Sequence, residues 1–348
     1  MRVAVGKAAG LLIVLAVISG SCSGGGDYLK SLGLSVEEVT PTTVVNLEDY
    51  EIFKPRHLAA LDGLFYVSRT DGDHHIAVID PHSSRQVNVL KRGRGPGEVF
   101  QGASLHRSGN SVVFNDCGNG ICLGIRCDSS FRTCSVDTIA RFSSSGARPY
   151  FMCKAGECFV PGNVLDPECW YALYDKSGEI RSCVEPISFP ELKNAPRDRI
   201  ASMMLSSIYA SNSNGSRVCV ANVVSASMSF ATVTDGMLEE YERVRGAAPE
   251  IQGGGVSSES KSCFNAIAAT DKYVYVLYSG LAINDEFPCD ECSHLIQYTW
   301  EGTPVKHYHL SHSLSAICLS DGEMYALSSF PEPLIMHVPV EVESPEML

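Results

Sequence analysis

The sequence predicts an all-β fold, a six-bladed β-propeller, on three observations. From about residue 43 onward, short apolar runs separated by turn residues fill the chain, and no stretch sustains a helical period. The runs recur in groups, and the second strand of each group begins near Leu64, Val112, Cys158, Val218, Tyr273 and Met324, at intervals of 48, 46, 60, 55 and 51 residues. Repeats of ~40–50 residues are the spacing of four-stranded propeller blades. The runs are also continuously apolar, as strands become when both faces of their sheet are covered by neighbouring sheets. Stacked β-sandwiches would supply as many strands but would not impose the regular period.

The chain opens with Arg2 and Lys7, an unbroken apolar run from Leu11 to Ile18, and the small residues Ser19-Gly20-Ser21 ahead of Cys22. That run is too short to span and remain in a bilayer, so residues 1–21 read as a secretory signal. A cysteine directly after small residues is a lipidation site, here Cys22, with Ser19 standing where an aliphatic residue is usual. Residues 22–41 read as a flexible tether and residues 42–348 as the propeller.

Blade one takes Leu58–Leu61, Leu64–Val67, Ile76–Asp80 and Val87–Leu90, with a turn at Asp62-Gly63. Blade two contains Ser111–Phe114. Blade three takes Tyr150–Met152, Cys158–Val160, Trp170–Tyr174 and Ile180–Cys183. Blade four holds Arg217–Ala221 and a hairpin turning at Asp235-Gly236; blade five holds Tyr273–Tyr278, Leu295–Trp300 and Val305–Leu310. Blade six has only Ala316–Leu319, Glu323–Leu327 and Leu334–Val338 before the sequence stops. Its missing outer strand is supplied most economically by Thr42–Leu47, which would close the ring.

A formal net charge of −13 excludes a nucleic-acid partner, which would need a basic face to displace counterions. It equally disfavours docking on anionic lipid, leaving acyl chains on Cys22 as the membrane anchor. Fourteen cysteines are many for this length, and export would permit disulfides. Four pairs flank turns: Cys117/Cys122, Cys127/Cys134, Cys153/Cys158 and Cys169/Cys183. Facing positions on antiparallel strands bring Cα atoms ~4.5–5.5 Å apart, within disulfide reach. The same cysteines could equally be small buried hydrophobes.

Three segments carry a family resemblance: the lipobox-like start, the stretch Gly93-Arg94-Gly95-Pro96-Gly97-Glu98-Val99-Phe100, and the closing Tyr298-Thr299-Trp300-Glu301-Gly302 through Tyr325-Ala326-Leu327. With them the chain resembles the TolB-like six-bladed propeller lipoproteins of Bacteroidetes. The resemblance implies a fold and an envelope location and carries no catalytic residue over.

Candidate sites are few. The Gly-rich stretch with Arg92, Arg94 and Glu98 could bind an anion in a backbone nest, though glycine turns and a Glu98 cap give it a structural reading. Asp73, His74 and His75 in one turn, and Cys289, Cys292 and His294 in a blade-five loop, are metal-ligating in kind. Neither set has the spacing of a zinc finger or a calcium loop. The sequence therefore reads as a monomeric, lipid-anchored envelope propeller, at the outer membrane facing the periplasm, that binds a protein, peptide or glycan without a cofactor. The alternative is a propeller hydrolase or lactonase with a divalent metal such as calcium in the central channel. An axial cluster of Asp, Glu, Asn or His from three or more blades would favour that enzyme; an apolar, aromatic mouth would favour binding.

Overall fold

Six antiparallel sheets stand in a ring, each running outward from an inner strand to an outer one. The structure is a computed structural model and describes residues 28–128, 133–142, 152–161, 168–192, 206–252, 255–283 and 291–342. The signal, Cys22, Cys289 and the start of blade three at Tyr150-Phe151 lie outside the described residues. Among the described residues, helix is confined to Tyr28–Ser31 and two 3-10 turns, Leu47–Tyr50 and Pro190–Leu192.

The inner strands are Pro55–Leu61, Gly102–Ser108, Met152–Ala155, Ser207–Ser211, Phe264–Ala269 and Ala316–Ser320, and each touches the inner strands of the blades on either side. Second strands such as Leu64–Arg69, Arg217–Asn222 and Tyr273–Tyr278 are buried almost throughout. Outer strands such as Arg85–Lys91 and Met237–Val244 are largely exposed. This gradient explains the continuous apolar runs: a middle strand meets another blade on both faces, whereas an outer strand meets water. Hairpins at Asp62-Gly63, Asp235-Gly236 and Asp321-Gly322 place both turn residues at positive φ, the geometry that matches strand twist and that an Asp-Gly pair tolerates.

The ring closes as expected. Thr42–Asn46 runs antiparallel to Leu334–Val338, with Val45 opposite Ile335, and Leu47 N donates to Pro333 O at 2.9 Å. Val45, Leu47 and Ile52 then enter the apolar cluster shared by blades six and one. Polar ties cross two further seams, blades one to two and three to four: Cys127 N donates to the Tyr66 hydroxyl at 3.0 Å, Trp170 Nε1 to Ser207 Oγ at 3.0 Å, and the Tyr171 hydroxyl meets Ser229 Oγ at 2.7 Å.

Two expectations are corrected. Residues 28–39, read as part of a flexible tether, are folded onto blade five. Val36–Val39 adds a parallel fifth strand beside His307–Leu310, and Tyr28 packs against Phe264 and Tyr278. A four-residue edge strand and one aromatic carry too little periodicity to be recognised in sequence.

The cysteines divide in two. Cys127 and Cys134 face each other in register and are bonded, with Cα atoms 4.0 Å apart; Cys169 and Cys183 are bonded at 5.7 Å. Cys117, Cys122, Cys153 and Cys158 are not joined in disulfides. Register accounts for the unbonded pairs, since Cys153 faces Val160, Cys158 faces Ala155 and Cys122 faces Asn115, whereas Cys183, which faces Ala172, bonds to Cys169 in the segment leading into that strand. Symmetry about a turn in sequence is not the same as opposition across a ladder.

Candidate functional site

The inner strands enclose a central channel of about 1990 Å³. On the face where these strands begin, its mouth includes Phe53 and Phe330, which are 57% and 64% exposed, with Lys54 and Arg56 beside Phe53 in sequence. Phe53 comes from the segment entering blade one, and Phe330 from the loop between the second and third strands of blade six. The backbone of Phe53 is fixed, because its N–H donates to Asp71 Oδ2 at 2.9 Å while Arg69 Nε holds Asp71 Oδ1 at 3.0 Å. Deeper in, Leu105, Met152, Ile208 and Ile317 give the channel an apolar wall.

Polar groups interrupt that wall on blades one and two. His57 takes Ser68 Oγ at both its backbone N–H (3.0 Å) and its Nδ1 (2.9 Å). Burial, with the Arg56 charge adding to it, pulls the His57 imidazole pKa down to about 4. Burial and then the neighbouring His57 pull His106 down to about 4 as well. Both rings are therefore neutral at neutral pH. Ser104 and His106, two residues apart on one inner strand, share a side of it. Ser104 Oγ and both ring nitrogens of His106 are shielded from solvent and have no hydrogen-bond partner among the described residues. On the blade-five side the channel is lined by Asn265 and by Glu291, which is 7% exposed.

The sequence candidates lie elsewhere. Arg92, Arg94 and Glu98 are not among the channel-lining residues. Arg92 Nε donates to Gly72 O at 3.1 Å, the Arg94 guanidinium lies 4.2 Å over the Phe100 ring, and Glu98 accepts from Gly95 N at 2.9 Å and pairs with Lys91 at 3.1 Å. Glu98, held below its usual carboxylate range by those contacts, closes its own loop.

Asp73, His74 and His75 do not converge. Neighbours on a strand point to opposite faces, so buried His75 packs on Phe114 with Nε2 3.1 Å from Val99 O, while half-buried His74 sits opposite Lys91. Cys292 is buried and receives Asn265 Nδ2 at 3.5 Å; His294 Nδ1 lies 3.0 Å from His307 Nε2. Among the described residues, no group of three or more His, Cys, Asp or Glu is arranged to hold a metal ion.

Sequence reasoning passed over His57, Ser104, His106, Phe53 and Phe330. The histidines leave no repeat signal: His57 faces Ser68 on its second strand whereas His106 faces Val113, so the two do not occupy matching positions in their blades.

The sequence profile described as TolB-like 6-blade propeller-like matches residues 35–322. Among solved structures, a protein of Bacteroides fragilis described as exported superposes with a TM-score of 0.52 at 11% identity, covering 87% of this chain and 95% of its own. The luciferin-regenerating enzyme gives 0.49 at 10% identity over 87% and 98% of the two chains. A functionally unknown protein of Desulfotomaculum acetoxidans gives 0.44 at 10% over 73% and 71%. At such identities the likeness is one of fold alone. No curated protein matches the sequence.

Proposed function

The chain belongs to the TolB-like six-bladed propeller family, and from that premise we propose that it is an exported, lipid-anchored propeller that binds an envelope ligand at the mouth of its channel. The observation that carries this reading is the pair of exposed rings, Phe53 and Phe330, at the opening of a deep, half-apolar channel. Large apolar side chains left in water beside a concave site are characteristic of ligand-binding surfaces. The ligand is an envelope protein, a peptide or a glycan. Export is supported by the signal-like residues 1–21 and by the likeness to a Bacteroides fragilis protein described as exported. Lipid on Cys22, placed directly after the small residues that follow the apolar run, is the proposed anchor, holding the propeller at the outer membrane facing the periplasm.

Immobilised protein lacking residues 1–22 would be offered solubilised envelope proteins, envelope peptides and envelope glycans in parallel. A ligand retained by the native protein should lose at least tenfold in affinity for the Phe53→Ala/Phe330→Ala double variant. Equal retention by the double variant refutes the mouth as the binding surface. For the anchor, Cys22→Ala should move the protein from the membrane fraction to the soluble periplasm; continued membrane association would remove the lipid from the account.

A further inference from the structure

Ser104 and His106 present a cluster of polar atoms that the fold itself does not use. Three buried atoms, Ser104 Oγ with His106 Nδ1 and Nε2, lack partners among the described residues and belong to residues lining the channel. Leaving such atoms unpaired opposes folding, and a native chain keeps them where a ligand or bound water completes them. We propose that Ser104 and His106, with His57 on the adjacent blade, form a saccharide-binding site inside the channel that takes the hydroxyl groups of a glycan. This deepens the binding reading above and rests on it.

The chemistry of the three groups selects the ligand. A neutral imidazole offers one N–H donor and one acceptor nitrogen, and a serine hydroxyl also both donates and accepts. Burial keeps both imidazoles neutral at neutral pH. A carboxylate or phosphate brings acceptors only and would set an anion against the acceptor nitrogen; an ammonium brings donors only. A hydroxyl group brings both on one atom, so a single sugar hydroxyl can satisfy a donor and an acceptor together. A peptide amide separates its donor and acceptor onto opposite sides, so one group cannot do this. Aromatic rings at the mouth, Phe53 and Phe330, supply apolar faces on which the C–H face of a sugar ring can lie. The channel, at about 1990 Å³, exceeds the ~300–1,000 Å³ of ordinary small-molecule pockets and accommodates several sugar units.

The test uses the mature propeller and four variants: His106→Leu, Ser104→Ala, His57→Asn and the Phe53→Ala/Phe330→Ala pair. Calorimetric titration would be run with a panel of defined tetra- to hexasaccharides, a hexapeptide library and Zn²⁺. The expected result is binding of at least one oligosaccharide, weakened tenfold or more in His106→Leu and in Ser104→Ala. The melting temperature of those two variants should be unchanged or raised, since each removes atoms that the fold leaves unpaired. Nitrogen-15 resonances of the His106 ring should shift on addition of the same sugar. Absence of saccharide binding, or binding indifferent to both variants, overturns the proposal. Hexapeptides that bind and lose affinity only in the phenylalanine pair would overturn the saccharide while leaving the mouth as the binding surface. Zn²⁺ held tightly by the native protein and lost in His106→Leu and His57→Asn would replace the saccharide with a metal. Sugars, peptides and envelope proteins all failing to bind would remove both readings.

Discussion

The Tyr28 hydroxyl is hydrogen-bonded to the Tyr298 hydroxyl across 270 residues of sequence. The Tyr28 ring also lies 5.7 Å from Phe264 and 5.1 Å from Tyr278. After this contact the chain passes along the edge of blade five as Val36–Val39, where Glu38 meets His309 Nδ1 at 2.8 Å, and crosses to complete blade six as Thr42–Asn46. One N-terminal segment thus staples the last two blades together.

Replacing Tyr28 with alanine should cost about 1–3 kcal/mol, less than a fully buried aromatic because the ring is only half-buried. For a domain of this size that is a drop of several degrees in melting temperature, roughly 2–4 °C per kcal/mol. Hydrogen exchange should show protection at residues 36–39 in the native protein and its loss in the variant. Unprotected amides in the native protein would mean that the strand is not docked.

The seam between Val45 and Ile335 should control the whole ring. Leu47→Ala, at a fully buried position, should destabilise by about 2–5 kcal/mol. Deleting residues 42–48 should lower the transition further, because it exposes the edge of Leu334–Val338. Fluorescence of Trp170 and Trp300, which sit in blades away from the seam, should report the same shift as circular dichroism. An unchanged tryptophan transition after the deletion would show that the blades unfold independently.

Mass spectrometry of unreduced, denatured and alkylated protein should find Cys127 joined to Cys134 and Cys169 to Cys183. Cys117, Cys122, Cys153 and Cys158 should carry the alkylating group. In the native protein Cys122 and Cys153 should resist alkylation even at alkaline pH, since burial pushes both thiols up to about 12 and the thiolate is the reactive form. Rapid native labelling of either would contradict their burial.

Stability should fall as the medium is acidified from about pH 6.5 towards pH 4. His57 and His106 titrate near 4 when folded but near 6.5 when unfolded, so in that window the unfolded chain binds more protons. Each imidazole adds at most about 1.4 kcal/mol per pH unit to the slope, and the contribution stops below the folded pKa. Comparing the native protein with His57→Asn and His106→Leu isolates this from the carboxylates. Identical pH profiles for all three would mean that the two rings are not held neutral.

Much of the fold was legible because blade formation is local. Four successive strands joined by short turns pair with their sequence neighbours, so the ~50-residue period and the buried second strands appear directly in the pattern of apolar residues. Thr42–Leu47 was legible as the closing strand because blade six lacks one. The docked segment at Tyr28 was not, since its partners Phe264, Tyr278 and Tyr298 lie far along the chain. The loop Arg92–Glu98 looked like a ligand site because it is rich in glycine and charge. In the structure those charges are satisfied by Gly72, Phe100, Gly95 and Lys91 close at hand.

By itself the sequence determined the architecture, its six repeats and where the ring is sealed, because each follows from hydrophobic burial between consecutive strands. Tertiary structure alone decided the rest. It chose which cysteines bond, since reach between sulfurs depends on strand register for Cys127 and Cys134 and on the path of the chain into the strand for Cys169 and Cys183. It also brought His57, Ser104 and His106 to one channel with Phe53 and Phe330 at its mouth. Those residues come from three blades and make no local motif; they meet only because a closed ring turns every inner strand towards the same axis.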